Sequence, residues 1–291
     1  MKVSLTTVAL PHLSLEETVE FAARLGYAGI ELRVRYIRPA EVGQPYTIQG
    51  NHKNDLNPAN FVALAPRVKQ LCDDHGLLIP ALACRTTASE LDDVRRLAEG
   101  AAICGCPLVR IGAPRRYDGS VPYREIYDEA VEAFGHALEV TRSFGVRGLL
   151  EIHGGTITVS ASLAHRLVSN FPPESIGVIY DVQNMVREGF EGLRLGLDLL
   201  GPYLAHVHVG GHAPTPGQRD QIGTLGWSWQ ATDLSDGLLA VPPLLAELRR
   251  VGYDHFITVE DLRPELDPAV KFERAIEYLN RCLAVVEQPS P

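Results

Sequence analysis

"LAHVHVGGHAP", residues 204–214, is an apolar run carrying two histidines that opens into glycine and proline. A continuous apolar run of this kind marks a strand covered on both faces, as in a parallel sheet packed between helices and an inner core. Side chains alternate along a strand, so His206 and His208 share one face and Val207 and Val209 the other. A polar side chain inside such a strand is costly unless it has a partner. The fold therefore depends on how many such strands the chain holds and on what ends them.

Outward from this stretch the chain repeats one unit, a short apolar run followed by an amphipathic helix. Runs occur at 3–8, 28–34, 77–83 and 107–112, then in "VRGLLEIHGG" (146–155), "SIGVIYD" (175–181) and "FITVED" (256–261). Helical patterns fall between them near 14–25, 57–76, 88–104, 122–144, 160–170 and 191–200, with another in "LAVPPLLAELRRVG" (239–252). The second of these has explicit boundaries: Asn57 as N-cap, Pro58 in the first turn and Gly76 as the stop. Eight strands alternating with helices over 291 residues, with no linker or change of composition, predict a single α/β domain over 1–291, a (β/α)8 barrel. Loop insertions are expected near 34–57 and 210–237. An open doubly wound sheet would more naturally carry a glycine-rich first turn; the first strand runs instead into "ALPHLS" (9–14), with neither G-x-G-x-x-G nor a P-loop.

Composition narrows the function. A net charge of −9 removes the general attraction to phosphate backbones, and no nucleic-acid partner is expected. Five scattered cysteines read as reduced thiols of a cytoplasmic protein, with the C-x-C at Cys104 and Cys106 as small apolar residues at a helix-to-strand joint. The N-terminus passes directly into an amphipathic helix, and no run of eighteen apolar residues occurs, so neither a signal peptide nor a membrane span is expected.

Four consecutive late strands end in a polar side chain: Glu151, Asp181, His208 and Glu260. The steps between them are 30, 27 and 52 residues, the last lengthened by the Gly/Pro-rich segment after 209. Each unit thus delivers one group to the rim where barrel enzymes build their active sites. Three carboxylates and an imidazole meeting there would repel one another, and a divalent cation neutralises them. The oxygen-rich set favours Mn2+ or Mg2+ over softer alternatives, with Zn2+, Co2+ and Fe2+ also compatible. His206 sits one layer deeper than His208, where it could orient a ligand or substrate.

These residues carry a resemblance. "LSLEETVEFAARLGYAGIELR" (13–33), "LLEIHGGTITVS" (149–160), "IGVIYDVQNM" (176–185), "LAHVHV" (204–209) and "LLAELRRVGYDHFITVED" (244–261) resemble the xylose isomerase-like barrel family of sugar phosphate isomerases and epimerases over nearly the whole chain. The resemblance implies one divalent metal held by Glu151, Asp181, His208 and Glu260. It also implies that the two glutamates act on substrate carbon protons from opposite sides, through an enediolate of a ketose or keto-polyol, phosphorylated or not. The same resemblance extends to dehydratases of inosose or dehydroshikimate. In one respect the chain departs from the common pattern: Asn184 stands where many members have histidine, and an amide cannot carry a proton at neutral pH.

Candidate substrate contacts are His153, His206, Asn184, Arg110 and His52, the arginine because a guanidinium inside an apolar strand demands an anion. Arg115 and Arg116 could meet a phosphate, and Trp227 and Trp229 could stack on a sugar or a neighbouring subunit. Glu31, at the end of the second strand, is a weaker candidate contact, expected first as a surface or salt-bridged residue. The segment Gly210–Trp229 is expected as a mobile lid. A small-molecule sugar or polyol is the expected partner, and a homo-oligomer is compatible with the sequence. An AP-endonuclease-like DNA-repair role is disfavoured by the acidic charge, and by Arg110 and Asn184 where further histidine ligands would be needed.

Overall fold

The repeating unit closes on itself. In the computed structural model, which describes residues 1–287 and leaves the last four positions of the expected domain outside the described residues, eight parallel strands form a closed barrel. They are β1 (Lys2–Thr6), β2 (Gly29–Val34), β3 (Leu82–Cys84), β4 (Leu108–Arg110), β5 (Arg147–Glu151), β6 (Ile176–Asp181), β7 (Leu204–Val209) and β10 (Phe256–Val259). Strands β8 (Gly211–Arg219) and β9 (Leu225–Thr232) form a separate antiparallel hairpin. Around the barrel the order is β1, β10, β7, β6, β5, β4, β3, β2, so each strand lies beside its sequence neighbour in the barrel and β1 meets β10 to close the ring.

Helices α1 (Leu15–Arg24), α2 (Pro58–Asp74), α3 (Leu91–Cys104), α4 (Tyr123–Ser143), α5 (Ala161–Val168), α6 (Val182–Glu188), α7 (Leu193–Leu200), α8 (Val241–Arg250) and α9 (Pro268–Glu287) lie between and after the strands. Local chemistry sets their ends. Ser14 and Glu17 form a reciprocal capping box on α1, and Asn57 caps α2 ahead of Pro58. Gly76, with φ of +67°, takes the left-handed conformation that ends α2 cheaply.

Three segments differ from the sequence reading. The run 77–83 yields a strand only at 82–84, because Pro80 has no N–H to give a ladder. A seven-residue helix, α6, follows β6 directly. The segment after β7, expected as a loop insertion, forms an antiparallel hairpin.

The main core fills the space between strands and helices, with Phe61, Phe134, Phe272 and Tyr180 fully buried. Inside the barrel a smaller apolar layer of Ala81, Leu149, Ile179 and Ala205, packed by Leu108, forms a separate cluster. Between β6 and β7 the register shifts: Val178 pairs with Leu204 but Ile179 with His206, a bulge at Ala205 of the kind that re-aims the side chains beyond it. All five cysteines are buried; Cys104 and Cys106 donate to the Ala101 and Leu108 carbonyls.

Candidate active site

Strand alternation and register together place the polar side chains. Asp181 pairs with His208 across β6 and β7, and Glu151 ends the adjoining β5. One ligand atom from each of Glu151, Asp181 and His208 falls within 4.8 Å of the others, all three residues being buried. His208 Nδ1 lies 3.3 Å from Glu151 Oε1 and 3.6 Å from Asp181 Oδ2, yet among the described residues it has no hydrogen-bond partner.

The other ring nitrogen explains the orientation. His208 Nε2 lies 2.7 Å from Glu31 Oε2, and His206 Nε2 lies 3.2 Å from the same oxygen and 2.8 Å from Thr258 Oγ1. Ser4 Oγ adds a 2.7 Å contact to Thr258. A buried polar chain thus runs from β1 through β10 and β7 to β2. With Nε2–H donated to Glu31, Nδ1 presents a lone pair toward two carboxylates, an arrangement that requires a proton or a cation between them. In the metal-free protein the proton takes that place: burial opposes the charge on His208, but Glu31, Asp181 and Glu151 push its pKa well above the ordinary value. Burial also acts on Glu31, where the two histidines outweigh it and hold the carboxyl well below the usual range. An imidazole held by a carboxylate through one nitrogen, with the other aimed at two carboxylate oxygens, fits a divalent cation.

Asp181 is fixed from its own helix. Its Oδ1 accepts from the Asn184 backbone N–H at 2.9 Å, and its Oδ2 from Asn184 Nδ2 at 2.7 Å. Asn184 therefore holds a candidate ligand in place and also lines the cavity. Glu260 stands apart. Thr258 is level with His208, so the next residue on that face, Glu260, lies a layer higher, and among the described residues it belongs to neither close group of candidate ligands, that of Glu151, Asp181 and His208 or that of Glu31, His206 and His208. Its Oε2 accepts from Gln183 Nε2. Burial raises its pKa to about 8, helped by Asp181, Glu151 and Glu31 and opposed by His208. For Glu151 burial is outweighed by Arg110 and His208, which hold it low, at about 2. The surroundings thus push the two glutamates in opposite directions in the metal-free chain, the separation that acid and base roles require.

Above the cluster opens a cavity of about 790 Å3, into which Arg110, Glu151, His153, Asn184 and Glu260 all face. Arg110 Nη2 lies 2.5 Å from Glu151 Oε2. Two of the sequence-derived contacts do not reach this cavity. His206 lies beneath the cluster, and His52 is buried beside the Ile48 carbonyl, 3.2 Å from its Nε2. Burial and Arg33 lower the His52 pKa to about 4, so it is neutral there. Sequence reasoning missed Gln183, whose only signal was its place two residues after Asp181; Glu31 is salt-bridged as one expected alternative had it, but buried, and its partners are the two histidines of the opening stretch.

No curated protein sequence matches the chain significantly. Solved structures share its architecture at low identity. The probable 3-DHS dehydratase AsbF of Bacillus anthracis superposes with a TM-score of 0.71 at 18% identity, covering 96% of this chain and 99% of that one. The 3-keto-D-glucoside 4-epimerase of E. coli gives 0.70 at 16%, covering 97% and 100%. The IOLI protein with a bound zinc atom gives 0.71 at 17%, covering 99% and 100%. The xylose isomerase-like TIM barrel profile matches residues 19–282, nearly the full barrel described above, and the chain belongs to that family.

Proposed function

We propose that the chain is a divalent-metal-dependent isomerase or epimerase acting on a ketose or keto-polyol, or on its phosphate. The observation that supports this best is the unpaired His208 Nδ1 facing Glu151 and Asp181 inside a buried cluster. Glu151, Asp181 and His208 would hold one ion, with Glu260 joining from above; the oxygen-rich set favours Mn2+ or Mg2+, with Zn2+, Co2+ and Fe2+ as alternatives. When bound, the ion supplies polarisation of a substrate carbonyl and its neighbouring hydroxyl, which makes the adjoining C–H acidic.

Glu151 and Glu260 reach the substrate from strands separated by β6 and β7, and in each the carboxylate oxygen held by Arg110 or by Gln183, rather than the one turned to the ion, would move the proton. One removes the carbon proton and the other returns it. Return to the same carbon from the opposite side gives epimerisation; return to the adjacent carbon gives isomerisation. Arg110 orients Glu151 and Gln183 orients Glu260. Asn184 positions Asp181 and carries no proton, while His153, at the cavity wall, is placed to meet a substrate hydroxyl.

Glu151→Gln and Glu260→Gln are expected to retain much of the metal while kcat falls by at least ~100-fold, the scale of a lost general base. Near-normal turnover with full metal in both variants would overturn the two-base reading. The substrate is sought by incubating Mn2+-loaded protein with ketoses, keto-inositols and their phosphates in D2O. Deuterium at one carbon identifies substrate and reaction together. Loss of water in its place assigns a dehydratase, and three zinc ions per chain with cleavage at abasic DNA would assign the repair class.

A further inference from the structure

The cavity has two unlike walls. Strands β5, β6, β7 and β10 supply the carboxylates and imidazoles, whereas the β2–β4 side supplies arginines. On β2 and just beyond it, alternation puts Glu31, Arg33 and Arg35 on one side. Arg85 follows β3, and Arg110 ends β4. In a chain of net charge −9, seven arginines and two glutamates line this one cavity.

Most of these cations are not internally neutralised. Arg110 is paired with Glu151, Arg115 at the rim with Glu129 and Arg38 with Glu41, which leaves four of the seven without an ion pair among the described residues. Arg35 is 7% exposed and faces the cavity, and among the described residues its guanidinium makes a single hydrogen bond, from Nε to the Ala83 carbonyl at 3.0 Å. Among the described residues the Arg85 guanidinium reaches only the amide oxygen of Gln49. Neither forms an ion pair among the described residues. Burial first, and then Arg110, Arg85 and Arg33, lower the Arg35 pKa to about 9, and Glu260 is only a weak counterweight. A buried guanidinium among like charges, without a carboxylate, is a costly arrangement unless something from outside completes it. Its planar fork suits a carboxylate or a phosphate.

Resting on the metal-dependent reading above, we propose that the substrate carries an anionic group, seated between Arg35 and Arg85 on the β2–β4 wall, while its carbonyl and hydroxyl face the β5–β10 wall. The substrate is therefore bipolar, a sugar acid or a sugar phosphate rather than a neutral sugar. Arg116 and Arg187, at the cavity mouth, draw such an anion inward through a surface that is otherwise acidic.

The test titrates the chelator-treated full chain by calorimetry with glycerol 3-phosphate, gluconate and, as neutral control, sorbitol. Omitting the metal keeps the anion site separate from the metal site. One of the two anions is expected to bind well above sorbitol, and which one does so distinguishes phosphate from carboxylate. Arg35→Met and Arg85→Gln are each expected to weaken that binding by at least ~10-fold, the scale of a lost charge-assisted hydrogen bond. Arg124→Gln, on the exposed face of α4, should leave it unchanged. Should Arg35→Met fail to fold by thermal melting, Arg85→Gln, at an exposed position, carries the test. Anion binding no tighter than sorbitol, or unchanged in Arg85→Gln, overturns this inference even if the protein takes up one metal ion. Anion binding lost in the arginine variants, in a chain that retains no metal, supports the anion site and overturns the metal-dependent reading instead.

Discussion

Glu31 touches no cavity surface, yet it governs the nitrogen that would meet a metal. Its carboxylate stands 2.7 Å from His208 Nε2 and also receives His206, so it sets the tautomer and ring orientation at once. Glu31→Gln keeps the shape and removes the charge. Metal affinity, measured by competition with a chromogenic chelator, is expected to fall about 10- to 100-fold, the usual effect of losing such a supporting carboxylate. The same variant carries a pH signature in the metal-free protein. Because the histidines hold the folded-state pKa of Glu31 below its ordinary value of 4.5, its contribution to stability is complete above pH 4.5 and is lost as pH falls further. The melting-temperature advantage of wild type over Glu31→Gln should accordingly shrink as pH falls below 4.5, and also decline as pH rises above the ordinary histidine value of 6.5, because the raised His208 pKa that Glu31 supports contributes fully only below it. Glu31 was visible in the sequence as a polar residue in an apolar strand, but its partners were not, since they lie 175 and 177 residues away.

At the scale of elements, the segment after β7 shows how composition can conceal order. Glycines and prolines read as a loop, yet β8 and β9 pair with Pro214 opposite Trp229 and Pro216 opposite Trp227. Proline is tolerated because a two-stranded ribbon has a free edge on each strand, where the missing N–H is not needed. Most of the hairpin is exposed, Trp227 at 64%, while its base contributes His212 and Ala231 to the cavity wall. Replacing 214–229 with Asn-Gly joins Ala213 to Gln230, already opposite one another, through a favoured two-residue turn. Metal content should be unchanged, and kcat/KM on the substrate found in the exchange panel should fall about 10-fold, or about 1.4 kcal/mol of transition-state binding. Unchanged kinetics would mean the hairpin takes no part in holding substrate. Helix α6 was legible in retrospect: Asp181 is its N-cap, so the same carboxylate that faces His208 also starts a helix.

For the whole molecule, the site rests on the inner apolar layer beneath it. Leu149 is fully buried among Ala81, Ile179 and Ala205, two residues below Glu151 on the same face of β5. Leu149→Ala should cost roughly 2–5 kcal/mol, read as a lower denaturant midpoint with an unchanged slope, because a barrel interior hemmed in by backbone collapses poorly around a cavity. Strand alternation, helix caps and the spacing of one polar residue per strand-helix unit were readable directly, because each is a property of a few adjacent residues or of a regular repeat. The closed eight-stranded barrel and the rim bearing Glu151, Asp181 and His208 followed from them. What no local pattern carries is which inward-facing side chains share a layer across the ring. That depends on closure through β1 and β10, on the bulge at Ala205 and on the register between strands distant in sequence. Only the tertiary structure therefore set Glu260 above the other three, joined Glu31 to both histidines, removed His52 and His206 from the cavity wall, and gathered unpaired arginines opposite the carboxylates.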